Sequence, residues 1–554
     1  MKSESKNIIL AVICTILVFW GLDLIFPNAR KKAPLQTPEQ TQITQSVSKT
    51  PTDVLPVLTQ KDDAFIEIQS ETLKGKIHLQ GLVFDNLTFL KYKETIQKDS
   101  PDVTLLNNQY FMTPYFYAPG IEIPNAQTVW HTDKTTLTPM STVTLTWKNA
   151  QGVTFTRQIS LDDKYMFTFN DFITAGDSPI SISIGGKLNR INPTTEGATS
   201  VHQGFVGVLN NKLQEEKYPT IESQKSFSYS SQGGWFGFGD KYWLSSFAFN
   251  PKNAPVNVSL SFTQKQDDKI FDLSYLTETL KIAPKQTIEQ ESYFFAGPKD
   301  LDLLDAYQDT LGIDRFELAI DFGWYYFLTR PFLRLLSWLY SFVGNMGIAI
   351  LIFATVLRIL MFPIASKSFE SMAKMRKIQP RIQELQKRYK DDKIRLNQEM
   401  ILLYKKENVS PASGCLPMLI QIPVFFSLYK VLSVSIEMRQ APFFGWIHDL
   451  AARDPSSVFT AFGLIPWPIP NMLNIGVWPV LMGITMYLQQ KMSSPQKNTE
   501  ASGQAQDAAK AMRWMPILFT FMMGNFASGL VIYWTWSNIL GIIQQRYIMH
   551  KYGK

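Results

Sequence analysis

Residues 343–362, VGNMGIAILIFATVLRILMF, decide how this chain reads. The run is apolar for about the 20 residues that a helix needs to cross a bilayer, yet it carries one cation, Arg358, well inside it. A cation there is costly unless it snorkels, pairs or faces a water-filled cavity. The segment that follows, 363–413, holds twelve Lys and Arg against six Asp and Glu, so most of the net charge of +7 sits in one arm. Such an arm marks the cytoplasmic face of a membrane protein close to anionic lipid. It speaks against nucleic acid as a primary ligand, which would want basic residues spread over a folded surface.

Working outward, residues 1–27 contain the apolar run IILAVICTILVFWGLDLIF behind Lys2 and Lys6, with no small-x-small cleavage pattern after it. That is an uncleaved N-terminal anchor helix with its start in the cytoplasm. Residues 28–60 turn to Thr, Gln, Pro and Ser and read as a flexible linker. Residues 61–298 are short alternating runs, FIEIQ, STVTLTWKN, VTFTRQISL, MFTFNDFIT, ISISIGG, VNVSLSFTQ and ESYFFAG, parted by Gly, Asn, Asp and Pro. With no helical periods between them, they predict a large all-β sandwich of antiparallel sheets. GGWFGFGD at 233–240 reads as tight turns between aromatic strands, with a ligand cleft as the sharper alternative.

Residues 299–342 read as a helix over 300–321 and then an amphipathic helix at the bilayer surface, with Trp324, Tyr325, Tyr326, Phe332 and Trp338 on its apolar body and Pro331 bending it or marking its start. Pro363 is expected to close the membrane helix at 343–362. In the arm 363–413, Met372, Met375, Ile378, Ile382 and Leu385 step by threes and fours, and Met400 and Leu403 repeat the spacing after a break at Asp391 and Asp392. Two antiparallel helices result, a cytoplasmic hairpin. Its stripe has a plain explanation in the hairpin's own packing. Further apolar segments at 414–434, 475–490, 512–526 and 529–548 each hold polar or helix-bending residues, as a bundle with a hydrated interior would need. With the basic arm inside, 435–474 lies outside, and 491–511 and the tail 549–554 lie inside. Six spanning helices make the total, and the β domain falls outside the cytoplasm.

Several chemistries find no support. There is no Walker-type phosphate loop, and five His and two distant Cys, Cys14 and Cys415, offer no metal-ligand spacing. No cofactor site and no catalytic set can be picked out. His78, His131 and His202 read as surface or satisfied residues.

The segments SMAKMRKIQPRIQELQKRYKDDK, GCLPMLIQIPVFFSLYKVL, EMRQAPFFGWIHDL and SGLVIYWTWSNILGIIQQ resemble the YidC-type membrane-protein insertases of Gram-negative bacteria, relatives of the Oxa and Alb proteins of organelles. The resemblance runs the length of the chain in order: anchor, β domain, then a five-helix α-helical insertase core. It implies a β supersandwich of the galactose-mutarotase type in the periplasm, without that enzyme's activity. It further implies a multi-pass protein of the inner membrane that inserts and helps fold its clients through a hydrated, positively charged groove and is not an enzyme. Arg358 would supply the charge, Thr355, Gln421 and Asn538 the polar wall, and Tyr533 and Trp534 nearby aromatic surface. The hairpin would receive clients, and the implied partners are nascent membrane proteins, a Sec-type translocon, the ribosome and membrane lipids. Ala527 and Ser413 depart from the family's usual proline and glycine at turns. Two other classes compete: a secondary transporter of a small anion, disfavoured by the lack of an inverted repeat, and a membrane-anchored periplasmic carbohydrate-active protein.

Overall fold

Strand alternation is realised in runs such as Phe65–Gln69 and Thr154–Leu161, where buried and more exposed residues take turns. The computed structural model describes residues 64–194, 201–250, 254–389, 392–407, 409, 416–460, 465, 474–493 and 504–553. The expected anchor and linker at 1–60 and the departure at Ser413 lie outside them. The described residues fall into two units that divide between Asp321 and Phe322.

The first unit carries an eleven-stranded and a nine-stranded sheet. FIEIQ is the strand Phe65–Gln69, MFTFNDFIT is Met166–Thr174, and ESYFFAG extends to Thr287–Pro298. The pairings are antiparallel except where Phe65–Gln69 meets Thr136–Leu137. Inward-facing rings join the sheets: Phe84 of one meets Phe167 and Phe294 of the other at 5.6 and 6.3 Å. Within this apolar layer Arg157 and Asp171, register partners on adjacent strands, form a two-pronged pair, Nε to Oδ1 at 2.6 Å and Nη2 to Oδ2 at 2.9 Å, with each side chain 1% exposed. The guanidinium also lies over the Phe116 ring.

Three expectations need correction here. GGWFGFGD is neither a turn cluster nor a cleft: Gly234–Gly239 is a strand buried along its whole length, and a Cβ at Gly237 would overlap the backbone of Ser245 on the next strand. The glycines serve close strand approach. A short helix, α1 (Tyr218–Gln224), does interrupt the strands, started by its proline. The helix expected over 300–321 stops early. Asp300 caps α2 (Leu301–Leu311) through the Leu303 amide, and Gly312 ends it in the left-handed region at φ +69°. A 3-10 turn, Phe316–Ala319, follows, buried against Trp235 and Phe295. Residues 299–321, expected as a connector, thus pack into the β unit.

The second unit is helical: α3 (Tyr326–Val343), α4 (Met346–Arg388), α5 (Lys393–Lys406), α6 (Leu416–Val434), α7 (Val477–Ser493), α8 (Gln504–Met523) and α9 (Ser528–Gly553). Pro331 lies inside α3, which buries Phe332, Leu333, Leu336 and Leu339 and exposes Trp338 and Phe342. Gly344 in the left-handed region ends it, and Asn345 caps α4 through the Ile348 amide. Among the described residues α4 alone is both long and apolar enough to cross a membrane; 421–434 and 514–523 are shorter apolar helices.

Pro363 does not close the membrane helix. α4 runs through Pro363 and Pro380 to Arg388. A proline loses its own hydrogen bond and crowds the preceding turn, but neighbouring helices can satisfy the backbone there. The carbonyl that Pro363 leaves without its helical donor is that of Ile359; close by, Gln544 Nε2 of α9 donates to the Phe362 carbonyl at 3.2 Å. The membrane segment and the first hairpin helix are therefore one rod. Asp392 caps α5 as expected, accepting from the Arg395 amide at 3.0 Å.

Candidate functional site

Helix periodicity brings the site together. On α9, Tyr533, Ser537 and Gly541 recur at i, i+4 and i+8 and share one face. On α4, Ala354, Leu357, Arg358, Met361, Ile364 and Ala365 form the facing wall, and Gln421 and Val424 of α6 complete a pocket of about 470 Å³, including space open to solvent. Its ten lining residues include no carboxylate. Arg358 sits twelve residues into α4, ~18 Å along the axis from its first turn at 1.5 Å per residue.

The Arg358 guanidinium is held from one side. Its Nη2 donates to the Ser537 carbonyl at 2.8 Å, while its buried Nε has no hydrogen-bond partner. Gly541 makes this seat available, because a Cβ there would overlap Nη2. Gln421 Nε2 donates to Tyr533 Oη at 3.2 Å, bridging α6 and α9 across the pocket. The outcome is a cation with unspent donor capacity beside an amide, a phenol and an apolar wall. Such a surface attracts a carboxylate and lowers the cost of taking it out of water.

Of the residues expected at the groove, Arg358, Gln421 and Tyr533 line the pocket together. The other three sit one layer away. Thr355 Oγ1 donates to the Leu351 carbonyl and accepts from Trp536 Nε1 at 3.0 Å, tying α4 to α9. Asn538 is buried and donates to Thr485 Oγ1 at 3.3 Å, tying α9 to α7. Trp534 packs on Phe425 and Phe519 at 4.7 and 5.5 Å, in a cluster with Met482, Met523 and Val531. Ser537 and Gly541 were missed from sequence; stepping by four along α9 from Tyr533 reaches both.

The hairpin stripe faces inward. Ile378 and Ile382 are buried, and Met372, Met375, Leu385, Met400 and Leu403 are half-buried. Met372 packs on Ala365, Phe369 and Ile548. Arg376 fixes the arm to the core, donating through Nη2 to the Met492 carbonyl at the end of α7 and through Nη1 to Met549 Sδ of α9. The bridge from Arg381 to Glu407, 2.6 Å, closes the hairpin. No group of three potential metal ligands occurs among the described residues.

Residues 338–554 match the family described as 60Kd inner membrane protein, and residues 65–335 the YidC periplasmic domain. A membrane protein insertase YidC of Rickettsia conorii is 40% identical over 564 residues, covering 99% of each chain. One from Beijerinckia indica is 40% identical over 594 residues, covering 100% of this chain and 97% of the other. A crystal structure of an active YidC insertase covers 87% of this chain and 92% of its own at 17% identity, with a TM-score of 0.35, a likeness that adds nothing to the sequence match. The relatives are named as insertases and not as transporters or carbohydrate enzymes, and a membrane location follows from the match. With a large β-sandwich domain followed by a helical core that holds a lone guanidinium pocket, this chain belongs to the YidC family of membrane protein insertases.

Proposed function

We propose that the chain inserts nascent membrane proteins into the bilayer by way of the Arg358 pocket. The observation that carries this reading is the half-satisfied guanidinium among Gln421, Tyr533 and Ser537 on helices of a membrane core, with no carboxylate of its own. A client's polar leading segment enters the pocket, where Arg358 offsets the desolvation of acidic residues. Its apolar segment passes along the outer helices into lipid. Each Leu, Ile, Phe or Val so transferred contributes roughly 0.3 to 0.6 kcal/mol, whereas an Asp at the bilayer centre costs about 3 kcal/mol. About 20 apolar residues therefore drive the step without a nucleotide, provided the acidic residues are not left in lipid. Thr355, Trp534 and Asn538 act behind the pocket by fixing the helices that form it. The hairpin receives clients on its outer face, where Ile394, Ile401 and Leu402 stand exposed among lysines and arginines, since the expected stripe is turned inward.

In this reading the protein is multi-pass in the inner membrane, with the hairpin and both termini cytoplasmic and the β unit periplasmic. The excess of cations at 363–413 supports that orientation. A Sec-type translocon and the ribosome fit as partners at the periplasmic and cytoplasmic sides, and anionic lipid beside the arm. Reconstituting the chain alone in liposomes and following a single-span client tests the reading. Protease-protected insertion is expected. Solute uptake without insertion would overturn it in favour of a transporter.

A further inference from the structure

Residues 435–457, between α6 and α7, form a folded cap on one end of the helical unit. Three helices, α4, α7 and α9, begin beneath it, and it is fastened to each. Phe443 rests on Gly347 in the first turn of α4, where a Cβ would overlap its ring. The Leu450 and Ala452 carbonyls accept from the Gly529 and Ser528 amides that open α9, at 3.0 and 2.7 Å. At α7 the fastening is a carboxylate. Asp454, 4% exposed, accepts from the Trp446 indole at 3.0 Å, from the amide and hydroxyl of Ser456 at 3.0 and 2.6 Å, and through Oδ2 from the Trp478 amide at 2.9 Å. Ser456 Oγ in turn accepts from the Val477 amide at 3.0 Å. The underside of the cap is apolar and dry: Met438, Ile447 and Leu450 are at most 1% exposed.

Each of these donors to the buried carboxylate is neutral. What compensates its charge is the start of α7, whose first amides and positive dipole end would otherwise face no water. One residue thus joins two parts of the cap to a helix end. A pocket that carries a cation and water into a membrane needs a barrier on its far side, and the cap stands at the end of α4 away from the hairpin.

We propose that Asp454 is the positioning residue that locks this cap over the end of the helical core away from the hairpin, and so keeps that side of the Arg358 pocket shut. The inference rests on the proposed orientation of the core, not on Arg358 attracting clients. The test uses liposomes holding the full chain and no client, with chloride leak as the readout, so its failure leaves the insertion reading standing. Wild type should be tight, and Asp454→Ala should leak roughly tenfold faster as its hydrogen bonds are lost. Asp454→Asn, which keeps one acceptor oxygen, should fall between. As a second measurement, a thiol at Ile350→Cys, beneath the cap, should be closed to an impermeant maleimide from outside and become reactive when Asp454→Ala is added. If Asp454→Ala does not fold, Ser456→Ala removes one of those bonds and the acceptor of the Val477 amide, and should open the same thiol. Tight vesicles together with an unreactive thiol in the folded variants would overturn the proposal.

Discussion

Arg358 and Ser537 are joined across two helices: Nη2 of the α4 guanidinium donates to the α9 carbonyl at 2.8 Å, in a notch that exists because residue 541 is glycine. The seat fixes one edge of the cation and leaves Nε unpartnered.

Filling that notch separates function from stability. Gly541→Ala removes a helix-interior glycine, which should hold or raise stability by up to about 1 kcal/mol. The same Cβ displaces the flexible end of Arg358. Insertion of clients with acidic leading segments should fall roughly tenfold, a loss of about 1.4 kcal/mol, while thermal unfolding in detergent does not drop. Parallel losses of both would show that 541 is only a packing position.

Arg376 tethers the hairpin to the ends of α7 and α9. A hydrogen bond from a charged group contributes about 1.5 to 3 kcal/mol. Arg376→Ala should therefore speed limited proteolysis of the hairpin tip roughly tenfold or more. Unchanged cleavage would mean that the bridge from Arg381 to Glu407 and hairpin packing suffice.

The buried pair in the β unit makes an asymmetric prediction. Arg157→Ala leaves Asp171 charged and dry and should cost about 3 to 5 kcal/mol in denaturant unfolding of the β unit. Replacing both, Arg157→Met with Asp171→Leu, should recover much of that loss. A double variant no better than the single one would contradict it.

His202 supplies a pH dependence. Burial, its largest cause, pulls its pKa down from 6.5 to about 4, against the Phe205 carbonyl that its ring meets at 2.8 Å. Between those values the unfolded chain binds a proton that the folded chain refuses, so stability rises with pH across that window and is lost as pH falls from 6.5 to 4. The full difference is on the order of 3 kcal/mol at 1.36 kcal/mol per unit. Asp162 and Asp300, raised by burial, oppose it at the acid end. Comparing acid unfolding of wild type and His202→Gln isolates the histidine; equal slopes would sink its role.

The β unit was legible because alternation has a period of two, and strands such as Phe65–Gln69 and Met166–Thr174 begin and end where the polar punctuation stands. The glycines of 233–240 misled, since glycine marks turns locally but here admits a neighbouring strand, a demand set by residues far along the chain. Pro363 misled too: a proline reads locally as a helix stop, and here α4 continues past it to Arg388. At the pocket, Arg358 was visible as a charge out of place, and Gln421 and Tyr533 came with the family resemblance. Ser537 and Gly541 were not visible, because a backbone carbonyl and an absent side chain carry no chemical signal of their own.

The most direct measurement is insertion into liposomes holding the chain alone, comparing single-span clients that differ only in an acidic or a neutral leading segment, with wild type and with Arg358→Glu. A guanidinium that draws acidic residues into the membrane predicts that the reversed charge abolishes the acidic client's entry and largely spares the neutral one. Equal entry of both clients in both proteins would contradict it.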